Sequence, residues 1–296
     1  MERLLVVGPG RIGLALGYAL RQAEGVRHLV YCGRRPDPPS HPLFGQGLAE
    51  YHFGLMAPPP GTDAVVLAVP DDVLPEMAHA LAAQGRPGPG AVALHTSGAL
   101  STEVLAPLHA AGYAVGSIHP LQAVAHPVTG ADRLRGAGYA VAGEPAARRV
   151  ARAIVHALAG EILEIPVARR PLYHAAAVLA SNGLAGLMAV AADLLVRAGA
   201  EPDRAVACLV SLARGALDDV ESEGLHPGLT GPVVRGDVDT VDLHLRALEG
   251  DAREEYRALS RVLAEVAEAR GVDPDRVGAL RSLLQAPPGV PNEEST

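Results

Sequence analysis

The first half of the chain alternates short apolar runs with longer stretches in which apolar residues recur every three or four positions. Short apolar runs bounded by Gly or Pro read as buried strands, and the longer periodic stretches read as helices. The predicted strands are LLVVG at 4–8, then HLVYCG, DAVVLAVP, GAVALHTS, YAVGSIHP and GYAVAG, with EILEIP closing this half at Pro166. Helices are predicted over 11–23, 72–84, 101–111 and 145–158. Such alternation implies a mostly parallel, doubly wound sheet covered by helices. Between 34 and 60 Pro, Gly and His are frequent, which predicts irregular chain with one short strand near 51–53.

Beyond residue 166 the strand-like runs cease. Residues 172–198 read as one long helix, followed by helices at 202–221, 238–248, 252–269 and 274–284. The expectation is an α/β Rossmann domain at 1–166, an all-α helical domain at 167–286 and a disordered tail at 287–296. The segment 175–196 has the length to span a bilayer. It is mostly Ala and Gly, however, carries Asn182 and Asp193, and lacks Trp or Tyr anchors, so a buried helix and no membrane are expected. Helices rich in such small residues pack closely on one another, which implies a homodimer formed through the helical domain.

Composition narrows the partners. Aromatic residues make up only 3% of the 296 positions and Trp is absent, so the core is built from Ala, Val and Leu. A net charge of -8 argues against nucleic acid, whose binding depends on clustered positive charge. Cys32 and Cys208 have neither metal-ligand spacing nor a disulfide framework around them, which suits a cytoplasmic setting. All 25 basic residues are Arg, so any mechanism that needs a lysine is excluded.

The stretch VVGPGRIG carries the first functional signal. Gly8, Gly10 and Gly13 follow a strand, open a helix and precede a second strand, the context in which G-x-G-x-x-G marks a dinucleotide-binding turn. Gly8 allows the tight turn, Gly10 the approach of a pyrophosphate and Gly13 close packing of helix on strand, with Pro9, Arg11 and Ile12 between them. The second strand ends in Gly33, Arg34 and Arg35, where an NAD site usually has an acidic residue for the ribose hydroxyl. Guanidinium groups suit a 2′-phosphate, so NADP is the expected cofactor, with NAD the alternative because Asp37 lies close by. Val69, Pro70 and Thr96 lie at strand ends along its expected path, while Asp71 or Asp72 reads as a helix N-cap.

Two later strands end in polar clusters, His95-Thr96-Ser97-Gly98 and His119-Pro120-Leu121-Gln122. In open parallel sheets the ligand crevice lies at the carboxyl ends of the strands. A third cluster, YHAAAVLASN, starts the long helix, and helical spacing puts His174, Ser181 and Asn182 on one face. The stretch HPGLTGPVVRGD at 226–237 interrupts the helices and suits either a connection or a loop over a cofactor.

HTSGAL, GSIHPLQ, YHAAAVLASN and TGPVVRGD, in that order behind GPGRIG, resemble a family of NADP oxidoreductases with a Rossmann-like N-terminal domain and a helical C-terminal domain of unknown function. The resemblance covers nearly the whole chain. A more distant similarity extends to pyrroline-5-carboxylate reductases, ketopantoate reductases and 3-hydroxyacid dehydrogenases, which implies a Rossmann domain followed by a helical domain that often dimerises. In the hydroxyacid dehydrogenases a lysine four residues before a helical asparagine carries the acid–base step. If Asn182 matches that asparagine, the lysine's place is taken by Val178, so their mechanism does not transfer.

Hydride transfer to a C=O or C=N carbon needs a group that protonates or polarises the heteroatom. With no lysine, histidine is the natural candidate. The order of candidates is His119, His174 and His95, with Ser97 and Asn182 orienting the substrate. The leading expectation is an NADP-dependent oxidoreductase acting on a small carbonyl or imine compound. A deazaflavin-dependent NADP reductase and a catalytically silent NADP-binding redox sensor are the alternatives.

Overall fold

The computed structural model describes residues 1–85 and 88–285, and the expected tail at 287–296 lies outside them. The chain divides into two compact units, Met1–Asn182 and a second beginning at Gly183.

The first unit holds one sheet of eight strands: β1 (Arg3–Val7), β2 (His28–Gly33), β3 (Glu50–Phe53), β4 (Ala64–Leu67), β5 (Val92–His95), β6 (Ala114–Pro120), β7 (Gly138–Gly143) and β8 (Glu161–Leu163). Their order is β3-β2-β1-β4-β5-β6-β7-β8. Neighbours are parallel except β6 and β7, which run antiparallel. Strand β1 pairs with both β2 and β4, so the order reverses there, and the carboxyl ends of β1, β2, β4, β5 and β6 share one edge. That edge is where ligands of doubly wound sheets bind.

The central strands are buried on both faces, which is why their sequences are continuously apolar. Leu4 and Val6 pack with Leu14, Leu16 and Leu20 of α1 (Arg11–Gln22) on one face. Leu5 and Val7 pack on the other with Leu74, Ala78 and Leu81 of α3 (Leu74–Ala82). The irregular connection after β2 contains one short helix, α2 (Pro42–Gly45), and the predicted strand at 51–53 appears as β3. Helices α4 (Ala106–Ala111) and α6 (Pro145–Ala157) fall within predicted stretches. An additional helix, α5 (Pro127–Leu134), starts on a proline and packs against α1 through Gly130, Ala131 and Leu134.

The helix expected at 172–198 is interrupted. Helix α7 (Arg170–Val178) ends in a π turn at Leu179–Gly183 before α8 (Leu184–Arg197) begins. Within that turn Ser181 Oγ lies 2.7 Å from the Ala177 carbonyl, a side-chain bond that competes with the backbone ladder. Helix α7 belongs to the first unit because Arg170 and Tyr173 are buried in it.

In the second unit α8 packs on α9 (Pro202–Glu223). A small core of Val233, Val241, Leu245, Ala264, Leu280 and Leu284 joins α10 (Val238–Ala247), α11 (Gly250–Ala269) and α12 (Pro274–Gln285). The Asp237 carboxylate caps α10, accepting from the Thr240 N–H at 3.2 Å and its hydroxyl at 2.8 Å. The burial expected for the Ala-rich helix is not met within the chain: α8 has no buried residue, and α9 has only Ala205. The stretch Val167–Arg197 is long and apolar enough to cross a membrane by length and composition.

The seam between α1 and β2 gives a test of this packing. The Tyr31 hydroxyl donates to the Gly13 carbonyl at 2.8 Å, and a Cβ on Gly17 would overlap that hydroxyl and approach Leu29 Cδ2 to 2.8 Å. Gly→Ala inside a helix ordinarily stabilises by about 0.5–1 kcal/mol. Gly17→Ala should instead destabilise by roughly 1–3 kcal/mol, the cost of overpacking. Urea unfolding would measure this, and Gly17→Ala/Tyr31→Phe should recover part of the loss.

Candidate functional site

The turn after β1 has the backbone that a pyrophosphate requires. Gly8 has φ +102°, and a Cβ there would lie 2.6 Å from the Ala68 carbonyl oxygen and 2.9 Å from Val69 Cγ1. A Cβ on Gly13 would strike the Gly8 carbonyl and come within 3.1 Å of Ala68 Cβ. Gly10 differs, since its nearest neighbour would be 3.9 Å away, so space lies open above it. Gly10 is the N-cap of α1 and offers no side-chain cap, which leaves the first N–H groups of the helix facing that space. Pro9, Arg11 and Ile12 complete the turn, and the arrangement fits the phosphates of a dinucleotide.

Gly33, Arg34 and Arg35 follow at the end of β2 with both Arg side chains exposed. Val69 and Pro70 follow β4, and the Thr96 N–H donates to Leu67 O at 3.3 Å, tying the end of β5 to β4.

The polar clusters meet at Gly98. A Cβ on this residue would sit 2.7 Å from His119 Nε2 and 2.7 Å from His174 Nδ1, so the two imidazoles converge on it from β6 and α7. Their ring centroids are 6.1 Å apart. His119 Nδ1 is hydrogen-bonded to the Tyr173 hydroxyl at 2.7 Å, with the rings edge to face. His174 Nδ1 is buried with no hydrogen-bond partner among the described residues. A nitrogen from each ring is thereby held at one point beside the strand ends.

Behind this pair lies Arg170, only 2% exposed. Its guanidinium donates to Ser117 Oγ at 2.5 Å and to the Ser97 carbonyl at 3.2 Å, while its Nε has no partner among the described residues. No carboxylate pairs with it among the described residues. The resulting field, together with burial, shapes the titration of the site. Burial first, then the Arg170 and His119 charges, push His95 down to about 3. Burial, then His174 and Arg170, push His119 down to about 4. Burial raises the Tyr173 phenol to about 12, with Arg170 working in the opposite direction. Near neutral pH His95 and His119 are uncharged and the Tyr173 phenol keeps its proton.

His119 and His174, from separate elements, thus stand together as the sequence suggested. His95 is wholly buried beneath them, with its Nδ1 accepting from the Ser97 N–H at 3.2 Å. The Ser97 hydroxyl donates to Asp71 at 2.8 Å and accepts from the N–H groups of Ala99 and Leu100, so it organises the turn that carries Gly98. Asp71 therefore holds this turn and caps no helix, because α3 begins only at Leu74. Asn182 is exposed in the π turn, with its Oδ1 3.1 Å from Ser181 Oγ, and neither bonds to the histidines. Sequence reasoning gave no role to Gly98 or Tyr173 and did not single out Arg170. Tyr173 adjoins a chosen histidine, and Gly98 lies in a motif already singled out, yet contacts between distant segments alone give them roles.

Residues 2–120 match the model of a Rossmann-like domain, and residues 138–263 match the Domain of unknown function (DUF2520). His95 and His119 lie in the first match and Tyr173 and His174 in the second. No curated protein sequence matches the chain. Among solved structures it is similar to protein TM1727 from Thermotoga maritima, with a TM-score of 0.69 and 24% identity, covering 90% of this chain and 99% of that one. A protein from Bacteroides fragilis provisionally classed as an NADP oxidoreductase superimposes with a TM-score of 0.67 at 21% identity, over 89% and 98% of the two chains. Pyrroline carboxylate reductase from Plasmodium falciparum with NADP bound gives 0.59 at 13% identity, over 96% and 98%.

The depressed titration of His95 sets a direction for stability. Its folded value is about 3 against 6.5 for an unperturbed ring, so between these values the unfolded chain binds more protons than the folded one. The associated stability is present above about pH 6.5 and is lost as pH falls toward 3. Acidification from about pH 7 to about pH 5 should cost roughly 2 kcal/mol through His95 alone. Urea denaturation at both values should show this loss, and His95→Gln should lack that share of it; an equal loss in the variant would contradict the assignment.

Proposed function

We propose that this chain, in which a Rossmann-like domain precedes a DUF2520 domain, is an NADP-dependent oxidoreductase that reduces a small carbonyl or imine compound. The observation that carries the reading is the convergence of His119 Nε2 and His174 Nδ1 over Gly98, on the sheet edge where the glycine turn opens. Two proteins of similar fold support it, one classed as an NADP oxidoreductase and the other a pyrroline carboxylate reductase with NADP bound.

Bound NADPH would supply the hydride. The Gly8–Gly13 turn and the first turn of α1 would hold its pyrophosphate, and Arg34 with Arg35 its 2′-phosphate. Neutral His119 accepts the Tyr173 phenol proton in a hydrogen bond at Nδ1, so its own proton resides on Nε2, the ring atom nearest Gly98. A neutral imidazole N–H in this position polarises the substrate heteroatom, a role that does not require a charged ring. As charge develops there, the Nε2 proton passes to the heteroatom and the Tyr173 proton moves to Nδ1. The uncompensated Arg170 charge offsets the phenolate left behind. His174 holds the other side of the heteroatom.

The helical domain is read as the contact with a second copy of this chain. Leu187 and Val196 of α8 and Val206, Val210, Leu212 and Leu217 of α9 are exposed large apolar groups on two helices that pack together. Helix α9 also carries charged residues along its length, from Asp203 to Glu223, which suits a protein partner better than lipid.

Turnover of NADPH with a panel of small aldehydes, ketones and cyclic imines tests the activity. His119→Asn and Tyr173→Phe should lower kcat by roughly 10²- to 10⁴-fold, the usual range for a lost proton-transfer group, with NADPH affinity nearly unchanged. Full turnover in His119→Asn would remove that residue from the mechanism. Light scattering should give twice the chain mass, and Leu212→Glu/Leu217→Glu should shift it toward the monomer.

A further inference from the structure

The space at the end of β2 is already taken. Gly33 does not have a left-handed backbone, so its conformation would admit any residue. Its side-chain position is nevertheless closed: a Cβ there would overlap the Tyr51 hydroxyl and lie 2.9 Å from Tyr51 Cε2 and 3.0 Å from Pro9 Cγ. The obstacle is a ring held in place from two sides. The Tyr51 hydroxyl donates to the Arg35 carbonyl at 2.5 Å. The ring also packs edge-on against Phe44 at 5.7 Å, and Phe44 packs edge-on against Tyr31 at 5.5 Å. Tyr31 in turn donates to the Gly13 carbonyl. A chain with two Phe and seven Tyr thus places three of these nine rings in a row between the glycine turn and the end of β2.

We propose that Tyr51 sets the cofactor preference: its ring occupies the place of the carboxylate that would read a ribose 2′-hydroxyl, and its hydroxyl fixes the loop that presents Arg34 and Arg35 to a 2′-phosphate. This rests on the NADP reading above and goes beyond it, because it locates the preference in a residue on the neighbouring strand β3. In parallel register Tyr31 pairs with Tyr51 and Gly33 with Phe53, so the ring reaches across two residues to cover Gly33. An acidic residue introduced at 33 meets the Tyr51 ring unless that ring is displaced.

The test is a fluorescence titration of the full-length protein with NADPH and with NADH, for wild type and three variants. Wild type should bind NADPH more tightly than NADH. Gly33→Asp alone should weaken NADPH without improving NADH. Gly33→Asp/Tyr51→Ala should bind NADH at least about tenfold more tightly than Gly33→Asp does, the scale of one charge-assisted hydrogen bond. Tyr51→Phe keeps the ring and removes only the bond to Arg35, so it should weaken NADPH several-fold and leave NADH unchanged, whether or not the double variant folds. If Gly33→Asp alone turns the preference to NADH, or Tyr51→Phe binds NADPH as wild type does, the inference is overturned while the NADP reading stands. A wild type that binds neither cofactor, or NADH as tightly as NADPH, overturns both.

Discussion

The Gly98 backbone runs so close to His119 and His174 that a methyl group there would sit 2.7 Å from a nitrogen of each ring. The lack of a side chain at this position lets the turn after β5, the end of β6 and the start of α7 close on one another. The same constraint recurs at Gly8 and Gly13, where a Cβ would meet backbone oxygen, and at Gly17 beneath Tyr31. Close backbone approach is how a chain with few large rings draws its helices and strands together around one edge of the sheet. Ser97 supports the approach at Gly98 by satisfying two N–H groups of the turn while donating to Asp71.

Charge around His95 and His119 is arranged against protonation. A guanidinium with an unpartnered nitrogen is costly to bury. Arg170 is held there by Ser117 Oγ and the Ser97 carbonyl, neither of which neutralises it. Its field disfavours charge on His95 and His119 and favours it on Tyr173. A site of this kind suits a reaction in which negative charge develops transiently and protons move between neutral groups.

The two units divide the chain's apolar residues differently. In the first, Val and Leu alternate between the two faces of a sheet covered by helices. In the second, the core is small, and α8 and α9 keep their larger apolar residues outside it. Small residues along α8 leave little area to bury within one chain.

The strands, most helices and the glycine turn were legible in the sequence because each depends on local periodicity or on a glycine next to a strand. His119 and His174 were legible as polar residues at the ends of apolar elements, and parallel topology puts such ends on one edge. Helix α5 was hidden by its Pro, Gly and Thr, and the π turn by a continuous apolar stretch whose period gives no sign of Ser181 bonding back to Ala177. Gly98, Tyr173, Arg170 and Tyr51 meet their neighbours in the site only in three dimensions. Their roles are contacts between segments tens of residues apart, such as Arg170 with Ser117 or Tyr51 over Gly33. Local pattern encodes which face of an element is buried; it does not encode which distant side chain fills the space that a glycine leaves.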